Sequence, residues 1–324
     1  MKILFFLENA DVRGGIEIFA ERHAKELREE GHDVEILQTF DAQAVSSCDQ
    51  IIVHKCTDVT TLEKFPAEKT ICYVHDHEPI CPRAYAYTPL RHNCTRSSGL
   101  LPCLFCAPLC RSWKTALQRV LVQAKRKHIL SRFSRIVVIS EFMKGRLVAN
   151  GIPAKRIVVS PPVLPELNKR SQSSVTANAK QIDLLFVGQL IRGKGVQLLL
   201  HAMAKMKTAR TLDIVGTGNM ESALKALSER LGLTDRVQWH GFQDHPQEWM
   251  CAARCVVVPS FWQEPYGLVA AEAVALGKKV VAFAIGGLPE ACGGKATLVP
   301  PGDVDALARA LDEDTECTET GEEK

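Results

Sequence analysis

Short apolar runs alternate with amphipathic stretches along most of this chain, the pattern of parallel strands covered by helices. The first run, residues 3–7, is followed by the loop Asn9-Ala-Asp-Val-Arg-Gly-Gly15. A helix is predicted over 16–30, closed by Gly31, and a second strand over 34–37. Further strands are predicted at 50–54, 70–75, 135–139 and 156–160. From Pro161 to Lys180 three prolines and a Ser/Ala-rich stretch replace the alternation, which reads as a linker. A second series then begins, with strands at 182–187, 211–215, 237–240, 255–258, 280–283 and 297–299. Two such series predict an α/β chain of two Rossmann-like domains, 1–163 and 181–311, joined by 164–180. Ligands of such domains bind at the carboxyl ends of the strands, here in the cleft expected between the two.

One helix breaks the apolar pattern. Residues 267–277 read as a buried helix ended by Gly277, yet Glu272 shares a face with Leu268, Val269, Ala275 and Leu276. A lone charge there is costly unless something polar meets it. Eight residues earlier, Glu264 precedes Pro265-Tyr266-Gly267 at the helix start, where unpaired amides and the helix dipole favour an anion.

Other candidate chemistry falls at predicted strand ends. Gly14 and Gly15 open a helix after the first strand and offer amides to an anion, unless the pair is only a tight turn. The turn Gly188-Gln-Leu-Ile-Arg-Gly-Lys-Gly195 follows the strand at 182–187 and carries Arg192 and Lys194. Gly216-Thr-Gly218 suggests a dinucleotide loop, but Glu221 stands where the third glycine would be. Gly241 and Phe242 close the strand at 237–240, and His75 ends the strand at 70–75.

At 324 residues the chain is long enough for two cores, and its 46% hydrophobic and 24% charged residues are those of a globular protein. No run of eighteen apolar residues predicts a membrane span, and residues 1–8 are too short for a signal peptide. A cytoplasmic location follows as the expectation. A net charge of +3 gives no footprint for nucleic acid.

The pair Glu264 and Glu272, with seven residues between, resembles the signature of the family 4 retaining glycosyltransferases, enzymes of the GT-B fold. The resemblance implies a nucleotide-sugar donor carrying UDP, GDP or ADP, with Glu264 on sugar hydroxyls and Glu272 on the ribose. It implies that the backbone through Tyr266, Gly267 and Leu268 meets the diphosphate. Lys194 falls on the family lysine that neutralises the diphosphate. The family arginine more often stands where this chain has Gln189, so Arg192 is expected to share its work. Gly14, Gly15, Gly216, Gly241 and Phe242 fall on loops that contact the nucleotide, and His75 falls on a histidine that touches the donor sugar. A catalytic metal is not expected, because no Asp-x-Asp pair sits in a catalytic loop.

Between 77 and 112 the chain departs from an ordinary GT-B domain. Cys81, Cys94, Cys103, Cys106 and Cys110 crowd together with His77 and His92, and Cys103-Leu-Phe-Cys106 has the gap of a metal knuckle. A structural Zn2+ on Cys81, Cys94, Cys103 and Cys106 is the candidate, with Cys110 able to replace one ligand; disulfides are the alternative in an exported protein. Residues 111–135 then hold eight Lys or Arg and no acid, with Trp113, Ala116, Leu117, Val120, Leu121 and Ala124 at helical spacing. Such a helix either lies on an anionic membrane surface, at the inner face of the membrane, or packs its apolar side and solvates the other. Residues 312–324 are acidic and expected to be disordered. Family members normally continue past the helix that here begins near Asp303 into one that crosses back to the first domain, whereas this sequence stops within an acidic tail, so the expectation is either a truncated protein or two domains held more loosely. The expected activity is sugar transfer with retention to a glycan, lipid-linked or small acceptor, in cell-envelope or polysaccharide biosynthesis. The alternatives are a non-catalytic nucleotide- and metal-binding protein of the same fold, or a sugar-nucleotide epimerase.

Overall fold

The continuous apolar runs become strands buried on both faces, as parallel strands under two helix layers must be. In strand β1 (Lys2–Leu7) every residue from Ile3 to Leu7 is buried. The computed structural model describes residues 1–8, 15–82, 86, 93–99, 103, 106, 113–162, 164 and 181–313. The chain divides into two units, Met1–Pro162 and Val163–Lys324.

The first unit holds β1, helix α1 (Gly15–Glu29), β2 (Asp33–Leu37), α2 (Ala42–Ser47), β3 (Gln50–Lys55), α3 (Val59–Glu63), β4 (Thr70–Val74), α4 (Trp113–Leu130), β5 (Arg135–Val138), α5 (Glu141–Ala149) and β6 (Ile157–Val159). Its six strands run parallel in the order β2-β1-β3-β4-β5-β6. Local chemistry sets the helix starts. Asp41, Asp58 and Ser140 cap α2, α3 and α5 with side-chain acceptors for first-turn amides.

The second unit repeats the plan with β7 (Ile182–Val187), α6 (Val196–Lys205), β8 (Leu212–Val215), α7 (Glu221–Arg230), β9 (Val237–Gly241), α8 (Pro246–Ala252), β10 (Ala253–Val258), α9 (Leu268–Ala275), β11 (Lys279–Phe283), α10 (Leu288–Cys292), β12 (Thr297–Val299) and α11 (Val304–Glu313). The strand order is β12-β11-β10-β7-β8-β9, again all parallel. Helices α6, α7 and α11 pack together, as do α9 and α10, around a core that includes Phe186, Leu199, Val256 and Phe283.

Every predicted strand is present with boundaries shifted by at most two residues, because fraying ends carry the weakest sequence signal. β4 stops at Val74 and leaves His75 in the following loop. Helix α11 runs on to Glu313, and Asp312 accepts from Lys207 N at 3.0 Å and Thr208 Oγ1 at 2.7 Å. The acidic stretch therefore begins inside the fold, while 314–324 and nearly all of the expected linker lie outside the described residues.

Candidate functional site

In the second unit four loops at the carboxyl ends of adjacent strands interlock. After β7, Arg192–Lys194 form a short 3₁₀ turn and Gly195, at φ +77°, starts α6. A Cβ on Gly195 would stand 1.8 Å from Pro259 O, so only glycine permits the approach of the loop after β10. Phe261 N donates to Gly193 O at 3.1 Å and closes that contact. After β8, Gly216 N donates to Gly241 O at the end of β9, at 2.7 Å. After β11, Gly287 N donates to Glu264 O at 2.8 Å, and a Cβ on Gly286 would meet the same oxygen at 2.3 Å.

This clamp buries Glu264 to 5% exposure and surrounds it with donors. Lys194 Nζ at 2.7 Å, Ser260 Oγ at 2.7 Å and Trp262 Nε1 at 2.8 Å all reach Oε1. Lys194 also lies over the Trp262 ring, 5.5 Å from its centre. Burial alone would push the Glu264 carboxyl up, but the Lys194 charge and these hydrogen bonds outweigh it and hold the pKa below its ordinary value. Glu264 is thus an anion at neutral pH whose described donors all converge on one oxygen.

The expected site residues sort unevenly. Lys194 and Glu264 come together as one ion pair, whereas Arg192 is exposed and forms no ion pair with a described residue. The lysine charge is therefore committed to Glu264, and the arginine charge has no ion-pair partner among the described residues. Glu272, on α9, is half-buried and its Oε2 accepts from Gln247 Nε2 at 3.3 Å. Helix α9 is less buried than its composition implied, since Leu268 is 36% exposed. Its start, Gly267 at φ +116°, has no side-chain cap, so its first-turn amides have no capping side chain of their own. Tyr266 is half-buried beside it, and Phe242 is exposed at the end of β9. Gly14 lies outside the described residues; Gly15 is the exposed first residue of α1.

In the first unit His75 is joined by residues that the sequence did not single out. His54 Nδ1 meets His75 Nε2 at 3.1 Å, His23 Nδ1 meets His54 Nε2 at 3.3 Å, and Tyr73 Oη meets His23 Nε2 at 3.5 Å. Phe19 makes T-shaped contacts with the His75 and His54 rings. Burial lowers the pKa of all three histidines, His75 to about 4. Nearby, the buried Glu17 pairs with Lys55 at 2.8 Å, and burial raises Asp76 to about 6. Ser260 and Trp262 were missed although they stand within four residues of Glu264. His54 was missed because only the β3–β4 register, which pairs Val53 with Cys72, brings it beside Tyr73.

Cys81, Cys94, Cys103 and Cys106 are thiols, and burial pushes Cys103 up, with a smaller upward contribution from the other three. Among the described residues no three His, Cys, Asp or Glu side chains are placed to hold a metal ion. His92 and Cys110 lie outside those residues. On α4, Ala116 and Val120 are buried while Leu117 and Leu121 are exposed. The basic side is not simply solvated. Arg126 is buried against Glu78 at 2.5 Å, Lys125 pairs with Glu63 at 2.5 Å, and Lys127 donates to Ser98 O at 3.0 Å. No helix among the described residues is long and apolar enough to cross a membrane.

Residues 181–313, which contain the whole Glu264 cluster, match the family described as Glycosyl transferases group 1. The second unit carries a glycosyl transferases group 1 domain. A D-inositol 3-phosphate glycosyltransferase of Mycobacterium sp. (strain KMS) is 32% identical over 201 residues, 57% of this chain and 46% of the relative. An uncharacterized glycosyltransferase of Methanocaldococcus jannaschii is 35% identical over 151 residues, 45% of this chain and 38% of the relative. This chain therefore spans less than half the length of these relatives. Among solved structures, HepE of Anabaena in complex with UDP-glucose has a TM-score of 0.67 at 22% identity, covering 98% of this chain and 90% of that one. Sucrose-phosphate synthase from Thermosynechococcus elongatus has a TM-score of 0.68 at 20% identity, covering 96% and 89%. The fold is that of the GT-B glycosyltransferases, two parallel six-stranded Rossmann-like sheets.

Proposed function

We propose that this protein is a retaining glycosyltransferase that moves a sugar from a nucleotide donor to a small or lipid-linked acceptor. The observation that carries the reading is the Lys194–Glu264 pair at the carboxyl end of the second sheet, inside the domain that matches the family. Three donors on Glu264 Oε1 fix the carboxylate and leave Oε2 to accept hydrogen bonds from sugar hydroxyls. The diphosphate would be met by the exposed Arg192, by Lys194 and by the uncapped amides that start α9. As the glycosidic bond breaks, the leaving diphosphate gains negative charge, and cations fixed beside it stabilise that charge more than the ground state. Glu272 would take the ribose, with Gln247 holding its carboxylate, and His75 the transferred sugar. A UDP-sugar donor and a small phosphorylated acceptor are favoured by the HepE complex and the inositol phosphate relatives. A structural Zn2+ on the cysteine insert rests on the sequence spacing alone.

The test is donor hydrolysis and transfer across a panel of nucleotide sugars, with wild type and Arg192→Ala. Loss of this cation should weaken donor turnover by on the order of tenfold to a hundredfold, from a charge-assisted hydrogen bond of about 1.5–3 kcal/mol. No hydrolysis or transfer with any donor would refute the activity.

A further inference from the structure

The three histidines at the carboxyl end of the first sheet form a chain with a defined direction. Each ring is desolvated and neutral at pH 7, so each carries one N–H and one lone pair. In a chain of single hydrogen bonds between such rings, setting one tautomer sets all the others. The links are His75 Nε2 to His54 Nδ1 at 3.1 Å, His54 Nε2 to His23 Nδ1 at 3.3 Å, and His23 Nε2 to Tyr73 Oη at 3.5 Å. Two arrangements satisfy every link. In one the Tyr73 hydroxyl donates into the chain; in the other His75 donates and Tyr73 only accepts.

The phenol decides between them. Its O–H is the strongest donor in the group and imidazole nitrogen the strongest acceptor, so Tyr73 O–H to His23 Nε2 is the better end contact. Following the protons along, His23 Nδ1–H donates to His54 Nε2, and His54 Nδ1–H donates to His75 Nε2. His75 must then carry its own proton on Nδ1. That nitrogen makes no hydrogen bond to a described residue. Stacking of His54 on Tyr73 at 4.6 Å and the edge contacts of Phe19 hold the rings in this geometry.

We infer that His54, His23 and Tyr73 are positioning residues that hold His75 in a single tautomer, presenting Nδ1–H as a hydrogen-bond donor. Resting on the proposed role of His75 at the donor sugar, this makes His75 a donor to a sugar oxygen and not a base. The chain offers an acceptor-rich ligand one N–H in a fixed direction, with no charge to attract the diphosphate in its place.

The tautomer is read directly from nitrogen–hydrogen correlation spectra of protein labelled with 15N-histidine, His75 being assigned by its absence in His75→Gln. A pyrrole-type Nδ1 and a pyridine-type Nε2 are expected in the wild type. A protonated Nε2, or an equal mixture, overturns the inference whether or not the protein transfers sugar. Function separates positioning from structure through two replacements of His54. Glutamine can accept from His23 with its carbonyl and donate to His75 with its amide, preserving the direction; phenylalanine keeps the ring and cuts the chain. His54→Phe should lower kcat by on the order of tenfold with the donor KM unchanged, and His54→Gln should recover most of it. Equal kcat in the two variants overturns the relay. If the wild type turns over no donor, the glycosyltransfer reading fails and the spectra alone decide the tautomer.

Discussion

The two buried polar clusters of this protein solve the same problem in opposite ways. Around Glu264 a carboxylate stays charged, because Lys194, Ser260 and Trp262 supply an opposite charge and two neutral donors to one oxygen. Around His75 no counter-charge among the described residues makes a hydrogen bond to the rings, and desolvation drives them neutral, so their links are those of tautomers. A charged cluster fixes an acceptor and is screened by its own partner. A neutral cluster fixes a donor and depends on the continuity of the chain. The first fails when one partner is removed; the second fails when it is protonated.

The largest expected effect breaks the charged cluster. Lys194→Met leaves a buried, uncompensated carboxylate, and loss of one partner of a buried pair costs about 3–5 kcal/mol. The double variant Lys194→Met with Glu264→Gln should recover most of that stability in urea unfolding while remaining inactive. Full additivity of the two single losses would show that the pair is not one unit. Because the Glu264 pKa lies below its ordinary value, its contribution is present above the unfolded pKa and is lost as pH falls through the folded one.

Acid should break the neutral cluster in a different window. His75 has a folded pKa of about 4, so its contribution is present above about 6.5 and is lost as pH falls toward 4, by up to about 3 kcal/mol. Asp76, raised to about 6, acts oppositely, since its folded form takes up a proton first as pH falls. Asp76→Asn should therefore steepen the acid loss of amide-exchange protection in β3 and β4. A flat profile between pH 6.5 and 4.5 in that variant would show that the histidines do not stay neutral.

The smallest effect sharpens the site beside the charged cluster. Gln247→Ala removes the 3.3 Å contact to Glu272 and should weaken nucleoside diphosphate binding by about 1 kcal/mol or less, measured by calorimetry, whereas Glu272→Ala should cost about 1.5–3 kcal/mol. Equal losses would make Gln247 a direct ligand and not a support.

Both clusters were half legible in the sequence. Glu264, Glu272, Lys194 and Arg192 announced themselves as charges at predicted strand and helix ends, and His75 as a polar residue closing an apolar strand. Which charges pair was not legible. Lys194 and Arg192 are separated by one residue, yet one is committed to Glu264 and the other has no ion pair among the described residues, since only the close approach of Gly193 and Gly195 to the loop after β10 aims Lys194 inward. On α4 the basic run reads as one basic face, for a membrane surface or for solvent, but Arg126 turns into the fold to meet Glu78.

The alternation of apolar runs with amphipathic helices, and so two parallel sheets, was determined by the sequence itself, because burying both faces of a strand demands a continuous apolar run. The caps of α2, α3 and α5 were likewise local, each needing only a side chain three residues or fewer from the amide it satisfies. What the tertiary structure alone decided is every contact across strands. Lys194 reaches over seventy residues of chain to Glu264, and His23, His54 and His75 come from α1, β3 and the end of β4. Parallel strands place such residues side by side through register, and register depends on how crossover helices pack, which no local pattern encodes.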